Sequence, residues 1–152
     1  MFLWRISNHA ELDGRGGLLA SARWHTQGRA IVYLAASPAG ALVEVLVNLE
    51  LDAGRLPGSY TMLKAEAPDD IRIMRVELAS LPENWAGDLS ISRGRGDEWL
   101  AGRESALLEV PSAILPDTFN VLLNPHHEDA GRIQVLWQRA YPYDRRFFKV
   151  RK

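Results

Sequence analysis

The longest apolar stretch of the sequence, residues 30–51, contains a helix-start signal in its middle. Ser37 is a good N-cap and Pro38 suits the first helical position. The stretch therefore divides into a strand, Ala30–Ala35, and a helix that runs from Ala39 to about Leu51. The centre of this helix is apolar with only two exceptions, which predicts a helix buried on most of its sides.

The remaining segments are shorter, and most have the pattern of β-strands separated by glycine- and proline-containing turns. The mixture is dominated by strands and lacks regular alternation with helices, so it favours the α+β class over a βαβ array. With 152 residues, the chain is expected to form one domain, residues 1–152. The predicted elements are strands at Met1–Ser7, Tyr60–Ala65, Ile71–Leu78, Ser105–Ala113, Phe119–Pro125 and Arg132–Ala140, a short helix at Asp97–Arg103, and glycine-containing loops at 13–17 and 25–29.

The composition argues against several classes of function. The 18 basic and 19 acidic residues give a net charge of -1, unlike the broad basic footprint of a protein that binds nucleic acid through phosphates. Because the chain has no cysteine, it can form no disulfide, thiolate zinc site or cysteine nucleophile. No apolar run reaches the roughly 18 residues of a membrane span, and the first residues lack the pattern of a signal peptide. The expectation is a cytoplasmic protein without membrane contact.

Glu44 is the most unusual residue of the predicted helix, since it stands between two valines in the run Leu42–Val47. A buried carboxylate is costly unless a cation or hydrogen bonds compensate for the lost water. Two interpretations are open. In one, Glu44 lies on a narrow solvated stripe with Asn48, one helical turn further on. In the other, it points into a pocket, where it stabilises a developing positive charge or orients an attacking group.

Arg23 and Tyr33 are further candidates for a binding site. Arg23 stands between two glycine-containing loops, where backbone can approach a ligand closely and an arginine can grip a phosphate through a bidentate fork. The alternative is a surface arginine stacked on Trp24. Tyr33 lies in the middle of a strand, so it is either an ordinary core tyrosine or a ring that stacks on a planar ligand.

Two more polar residues in the predicted strands have no single interpretation. Arg5 faces away from its neighbours Trp4 and Ile6, so it is either solvated or lines a site. Ser105 comes at the start of a buried strand, where a hydroxyl that initiates the strand is the simpler explanation.

Common metal- and nucleotide-binding motifs do not explain the sequence. His126 and His127 are adjacent, and adjacent side chains point apart; the H-E-x-x-H spacing is absent as well, so no metal site is expected. The run Gly94-Arg-Gly96 lacks the spacing of a P-loop or a dinucleotide fingerprint. No G-x-S-x-G elbow is present to support a catalytic serine triad.

Taken in order, the short motifs of this chain resemble those of the RES domain family, the toxins of RES–Xre toxin–antitoxin systems. The resemblance covers nearly the whole chain, and its specificity lies in the order and spacing of motifs that are weak individually. The motifs are Leu3–Ile6, Gly16-Gly17, Ser21–His25, Gly28, Ile31–Ala35, Ser37-Pro38, Ala41–Leu46, Ser105–Ala113, Asn120, Asn124–His127 and Tyr143–Phe147.

The resemblance implies a compact fold similar to that of ADP-ribosyltransferase toxins, with one long buried helix and short peripheral helices. It also implies a pocket for NAD lined by an arginine, a tyrosine, a glutamate and a serine, with a second arginine nearby. NAD is then the substrate and not a resident cofactor, and the implied reaction is cleavage of its nicotinamide–ribose bond by water or inorganic phosphate. These pocket residues correspond to Arg23, Tyr33, Glu44 and Ser105, with Arg5 as the second arginine.

The resemblance also suggests a role for each residue. Glu44 would stabilise an oxocarbenium-like ribose, Tyr33 would stack against nicotinamide, and Arg23 and Arg5 would hold the diphosphate. Ser105 would form a hydrogen bond to the ribose or to the nicotinamide end. Loss of cellular NAD would then arrest bacterial growth.

The implied partner is an Xre-type helix-turn-helix antitoxin, which blocks the pocket and carries the DNA binding, so the toxin itself needs no direct contact with nucleic acid. Three alternatives stay open. The chain could be an ADP-ribosyltransferase that modifies a macromolecule, or a non-catalytic module that binds a nucleotide. It could also be an interaction protein in which Glu44 is paired with Arg23 for structural reasons alone.

Overall fold

The computed structural model describes residues 1–49 and 57–148, and in these residues one seven-stranded sheet organises the fold. The elements are β1 (Phe2–Ile6), α1 (Arg15–Leu19), β2 (Val32–Ala35), α2 (Pro38–Asn48), β3 (Ser59–Glu66), β4 (Ile73–Arg75), α3 (Leu89–Gly102), β5 (Leu107–Pro111), β6 (Phe119–Leu123) and β7 (Gln134–Pro142). The strand order is β4-β5-β6-β2-β1-β3-β7, and the neighbouring strands are antiparallel except for β4 and β5. This arrangement confirms the α+β class.

The predicted strands are present, most of them with bounds shifted by a few residues. The largest difference is at Ile71–Leu78, where the regular strand is limited to β4 and a short 3-10 turn begins at Leu78. The alternation of apolar residues slips in phase within this segment, so the run could not remain a single regular strand. The glycine-rich segment at 13–17, predicted as a loop, contains the beginning of α1.

Helix α2 begins where the sequence predicts. The Ser37 hydroxyl accepts a hydrogen bond from the Gly40 amide at 3.0 Å, and Pro38 occupies the first turn. The helix is less buried than predicted: Ala41 is its one fully buried residue in the described part, and Val47 is 61% exposed. α2 rests on β1 and β2, and its outer residues remain half-buried or exposed. The predicted end at Leu51 lies outside the described residues.

Helix α3 is longer than predicted. It has 14 residues, whereas the sequence pattern indicated a helix only over Asp97–Arg103. The part of α3 before Asp97 is mostly polar and contains two glycines, Gly94 and Gly96, which lower its intrinsic helix propensity. Contacts elsewhere in the fold compensate for this, because Asp88 caps the helix through the Ser90 amide at 3.0 Å and Trp99 is buried against the sheet.

Alternate residues of β2 point to opposite faces of the sheet and define what each face carries. Val32 and Leu34 point into an apolar core on one face. Both α2 and α3 pack on the other face, over different strands. We call this second face the helix face; it carries Tyr33, Ala35 and their cross-strand partners Leu122 and Asn120.

Candidate active site

Glu44 extends from α2 to the helix face, where two strand residues hold its carboxylate. Oε1 accepts a hydrogen bond from the Ser112 hydroxyl at 2.8 Å and another from the Asn120 amide at 2.7 Å. Oε2 accepts no hydrogen bond from the described part of the chain. No described lysine, arginine or histidine forms an ion pair with Glu44. The two neutral donors therefore orient the carboxylate without cancelling its charge.

The structure bears on both alternative interpretations of Glu44. Asn48 is exposed one turn further on, and its amide donates to the backbone carbonyl of Glu44 at 2.8 Å, whereas the carboxylate of Glu44 is turned to Ser112 and Asn120. A structural ion pair with Arg23 is absent among the described contacts, because the Arg23 guanidinium is directed elsewhere. The partners of Glu44 are thus uncharged, as a site that needs a free negative charge requires.

Arg23 lies in a turn and is held against the segment that precedes α3. Its Nη1 donates to the Ala86 carbonyl at 3.0 Å, and the guanidinium carbon lies 5.9 Å from the centre of the Trp85 ring. The stacking partner is therefore Trp85 and not Trp24. Most of the N–H donors of Arg23 remain free of described partners, so the guanidinium can still bind an anion through its fork.

Helix α3 clamps the turn that carries Arg23. Gly96 of α3 lies so close to Trp24 that a Cβ atom there would overlap the Trp24 carbonyl oxygen. This contact holds the backbone next to Arg23 directly against the helix. The hydrogen bonds of the clamp are Ser92 Oγ to Arg23 O at 2.5 Å, Arg93 Nε to Ala22 O at 2.8 Å, and Thr26 N and Oγ1 to the Asp97 carboxylate at 2.9 and 2.7 Å.

Tyr33 is half-buried on the helix face, and its hydroxyl is fully engaged. The hydroxyl oxygen accepts the Trp24 N–H at 3.0 Å and lies 2.8 Å from Nδ1 of His25. Burial raises the pKa of Tyr33; the Trp24 hydrogen bond and the nearby charges of Arg93 and Arg23 offset this only in part. Tyr33 is therefore a neutral phenol at physiological pH, fixed in orientation by its hydroxyl.

The raised pKa of Tyr33 makes stability depend on pH in the alkaline range. In the unfolded chain Tyr33 loses its proton near the ordinary value of 10.0, whereas the folded chain retains it to higher pH. The free energy of unfolding therefore falls as the pH rises above 10.0. Between about pH 8 and pH 11, the free energy of unfolding of Tyr33→Phe should fall by about 1 kcal/mol less than that of the wild type. Urea unfolding at both pH values checks this, and equal losses would contradict it.

Arg5 does not join the Glu44 carboxylate. Trp4 packs on the helix face, so the next residue of β1 points to the opposite face of the sheet. There the Arg5 Nη1 donates to the Glu11 carbonyl at 3.4 Å. Burial lowers the pKa of Arg5, and the charge of Asp13 partly opposes this. The predicted orientation of Arg5 relative to Trp4 is confirmed, but it takes Arg5 away from the predicted pocket.

Ser105 lies in the core and not at the site. It has no exposed surface, and its hydroxyl donates to the Leu107 carbonyl at 2.7 Å while accepting the Trp99 indole N–H at 2.9 Å. This is the strand-initiating role that the simpler explanation predicted. The serine that contacts Glu44 is Ser112, at the other end of β5.

Sequence reasoning did not assign Ser112 and Asn120 to the site. Both lie within motifs of the resemblance, but neither is charged or out of place in its strand. The pairing of β2 with β6 places Asn120 at the site. Asn120 is opposite Ala35, which is two residues after Tyr33, so Asn120 and Tyr33 lie on the same face of the sheet.

The chain matches the family described as RES domain over residues 2–146. It belongs to the RES domain family. A relative named Toxin Res, from Pseudomonas putida, is 42% identical over 147 residues, with 97% of this chain and 100% of the relative covered. A relative named Prs ADP-ribosylating toxin, from a Sphingobium species, is 37% identical over 159 residues, with 96% of each covered. Another Toxin Res, from Photorhabdus laumondii, is 31% identical over 159 residues, with 100% of each covered.

The RES domain is also similar to a solved structure. A chain in the crystal structure of the M. tuberculosis MbcT–MbcA toxin–antitoxin complex aligns with a TM-score of 0.75, covering 92% of this chain and 83% of that one. The two sequences are 16% identical, so the similarity concerns the fold alone. The α+β arrangement of the RES domain is therefore shared with that chain.

Two surface cavities of the RES domain lie away from Glu44. The larger, of about 420 Å³, lies between β4 and α3 and includes Trp99 in its lining. The smaller, of about 250 Å³, lies beside Arg29 and His126. Neither is lined by Arg23, Tyr33, Glu44 or the two residues that bind its carboxylate. The candidate site around Glu44 therefore rests on its hydrogen bonds and not on either of these cavities.

The Glu44 carboxylate is held by a hydroxyl and an amide, those of Ser112 and Asn120. Tyr33 lies on the same face of the sheet, two residues before Ala35, the cross-strand partner of Asn120. Neutral donors leave a carboxylate with the negative charge that can stabilise a positive charge next to it. In the described ranges, no three His, Asp or Glu side chains cluster in a way that could hold a metal ion. None of the described helices has the length and apolar character needed to cross a membrane.

Proposed function

We propose that this chain is the toxin of a toxin–antitoxin pair and that it cleaves the nicotinamide–ribose bond of NAD in the cytoplasm. The relatives named Toxin Res support the first part. The relative named an ADP-ribosylating toxin supports the second, because NAD is the usual donor of ADP-ribose. The observation that carries the reaction is the Glu44 carboxylate, which Ser112 and Asn120 orient while its charge is retained.

The chemistry of the bond fits a lone carboxylate. Nicotinamide in NAD is a cationic pyridinium, so when the bond from its nitrogen to ribose C1′ breaks, the electron pair stays on nitrogen and neutral nicotinamide leaves. No acid is needed to assist this departure. The positive charge moves to the ribose as an oxocarbenium-like transition state, which the Glu44 carboxylate stabilises. Water or inorganic phosphate then bonds to C1′, and an attacking water molecule releases a proton.

Tyr33 and Arg23 have binding roles in this proposal. Tyr33 stacks against the nicotinamide ring, and Arg23 holds the diphosphate with the N–H donors left free by Ala86. Arg5 has no part in the site, because its side chain lies on the opposite face of the sheet. Ser112, which orients Glu44, is the serine of the site in this proposal, and Ser105 has no part in it.

The proposed partner is an Xre-type helix-turn-helix antitoxin that covers the pocket and contacts DNA on behalf of the complex. The toxin–antitoxin complex that contains the structural neighbour supports an antitoxin of some kind. The net charge of -1 supports a division of labour in which the toxin does not bind nucleic acid itself.

Measurement of NAD tests the proposal directly. The purified chain is incubated with NAD, with and without inorganic phosphate, and nicotinamide release is followed by chromatography. We expect release of nicotinamide together with ADP-ribose or its 1″-phosphate, and loss of NAD with growth arrest in cells that express the chain without an antitoxin. Unchanged NAD in both settings would overturn the proposed reaction.

A second candidate is transfer of ADP-ribose to a macromolecule, favoured by the name of the Sphingobium relative, Prs ADP-ribosylating toxin. Both reactions share the cleavage step at C1′ and differ only in the acceptor. Incubation of a cell lysate with the protein and NAD labelled in its adenylate part separates them. Label that remains in small molecules supports NAD destruction, whereas label bound to one protein or nucleic acid supports transfer.

Ser112→Ala is expected to lower the rate of NAD cleavage about tenfold, because Glu44 Oε1 then keeps only the Asn120 hydrogen bond. Ser105→Ala is the matched control, since it removes an equally buried hydroxyl from the same strand region. This control should lower the free energy of unfolding by about 1–3 kcal/mol and leave kcat of the folded protein within about twofold. Steady-state kinetics and thermal unfolding check both variants. A loss of kcat in Ser105→Ala alone would contradict the assignment of Ser112.

A further inference from the structure

The buried imidazole of His25 has no role in the proposed chemistry, yet both of its nitrogens have partners. His25 is 2% exposed. Its Nδ1 lies 2.8 Å from the Tyr33 hydroxyl, and its Nε2 lies 3.2 Å from the carbonyl oxygen of Gly17. The imidazole therefore connects the middle of α1 to the Tyr33 side chain on the helix face.

The hydrogen-bond partners of His25 and Tyr33 determine which atoms carry the hydrogens in these contacts. The Gly17 carbonyl can only accept, so His25 Nε2 carries a hydrogen and donates it. In the neutral imidazole Nδ1 then has a lone pair, and the Tyr33 hydroxyl donates to it. The Tyr33 oxygen remains free to accept the Trp24 N–H. One orientation of the Tyr33 hydroxyl is therefore compatible with all three hydrogen bonds, His25 to Gly17, Tyr33 to His25 and Trp24 to Tyr33.

The glycine-rich segment explains how the Gly17 carbonyl reaches a buried histidine. A Cβ at Gly17 would overlap the Arg29 carbonyl oxygen and would lie 3.1 Å from His25 Nε2. Gly14 has φ +75°, a left-handed conformation that favours glycine. Its carbonyl accepts the Gly17 N–H at 3.1 Å, which tightens the turn. Only glycine at position 17 allows this close approach, so the segment holds the His25 side chain in place.

We infer that His25, held by the Gly17 carbonyl, is a positioning residue that fixes Tyr33 for NAD. The inference rests on the proposed function, in which the Tyr33 ring stacks against nicotinamide. Tyr33 is half-buried and is anchored through its hydroxyl by Trp24 and His25. Without the acceptor at Nδ1, the hydroxyl loses the partner that sets its direction, and the ring loses its fixed place. His25 acts through Tyr33 and does not touch the reacting atoms.

Three substitutions separate this role from a merely structural one. In His25→Asn, the side-chain oxygen lies near the place of Nδ1 and can still accept from Tyr33. In His25→Gln, the amide reaches the place of Nε2 and can donate to Gly17 but does not serve Tyr33. We expect His25→Asn to keep kcat/KM for NAD within about threefold of wild type and His25→Gln to lower it about tenfold. Equal losses in both variants would overturn the inference.

A double substitution tests whether the effect passes through Tyr33. In the Tyr33→Phe background the hydroxyl is gone, so adding His25→Gln should change kcat/KM by less than about twofold. If His25→Gln causes the same tenfold loss in that background, His25 acts independently of Tyr33 and the inference is wrong. Thermal unfolding of each variant shows whether it is folded under the assay conditions.

A measurement on the wild-type protein keeps the inference testable if the variants fail to fold or if NAD is not the substrate. Nitrogen-15 NMR of the imidazole distinguishes a hydrogen on Nε2 from one on Nδ1. We expect the hydrogen of His25 on Nε2, with Nδ1 unprotonated. A hydrogen on Nδ1 would overturn the inference, whatever the outcome for NAD. Absence of NAD turnover by the wild type, with Nε2 protonated as expected, would instead contradict the proposed function.

Discussion

Glu44→Gln is expected to lower the rate of NAD cleavage by about 10²- to 10³-fold, the range found when one electrostatic group is removed from a transition state. The glutamine Oε1 can still accept the hydrogen bonds from Ser112 and Asn120, at 2.8 and 2.7 Å in the wild type. The substitution therefore removes the charge and preserves the geometry. Initial rates of nicotinamide release measure the effect, and thermal unfolding should show little change in stability.

Glu98→Gln is the control for this substitution. Glu98 is an exposed glutamate on α3 that lies outside the site, and its charge is the same. This control should behave as wild type in NAD cleavage and in growth arrest of cells, whereas Glu44→Gln should relieve the arrest. A rate for Glu44→Gln within about threefold of wild type would show that the carboxylate charge is not what the reaction needs.

The position of Glu44 could be predicted from sequence because a charge within an apolar helix has to be compensated in some way. Its partners could not be predicted in the same way. Ser112 and Asn120 are 68 and 76 residues further along the chain, and both lie in or next to strands. Only the register of β2, β5 and β6 brings them to the same face as Tyr33. The resemblance assigned the serine of the pocket to Ser105, whose hydroxyl is engaged by Trp99 and Leu107, whereas the serine that bonds Glu44 is Ser112, at the other end of β5.

Arg5 shows a related limit. The alternation of β1 correctly predicted that Arg5 points away from Trp4. Which of the two faces carries the site depends on where α2 and α3 pack. The alternation of residues in a single strand does not predict this packing. Trp4 and Glu44 lie on the face of the sheet that the helices cover, so Arg5, which points to the opposite face, lies outside the site.

The helices could be predicted only in part, for two different reasons. The Ser37-Pro38 start of α2 was found because a cap is a local signal. Its burial was overestimated, because an apolar pattern shows that a helix makes contacts but not how many sides they cover. Most of α3 was missed because its glycines lower helix propensity, and the reason for one of them, Gly96, is a contact with the distant Trp24 backbone.

Gly96→Ala is expected to lower the free energy of unfolding by about 2–3 kcal/mol, toward the upper end for overpacking of a tight contact. The added Cβ would overlap the carbonyl oxygen of Trp24, a backbone atom that cannot rotate away as a side chain does. Hydrogen bonds from Ser92 and Arg93 hold the same turn. The strain can be relieved only by moving α3 or the turn that carries Arg23, so KM for NAD should rise as well.

Gly94→Ala is the matched control in the same helix. A Cβ at Gly94 meets nothing within 4 Å, so alanine there should be neutral or should stabilise the helix by about 0.5–1 kcal/mol through its higher propensity. Urea unfolding of both variants measures the difference, and NAD titration in the kinetic assay measures the change in KM. Equal stabilities for the two alanine variants would show that α3 does not clamp the turn. A loss of stability in Gly96→Ala without a change in KM would show that the clamp supports the fold but does not place Arg23 for the diphosphate.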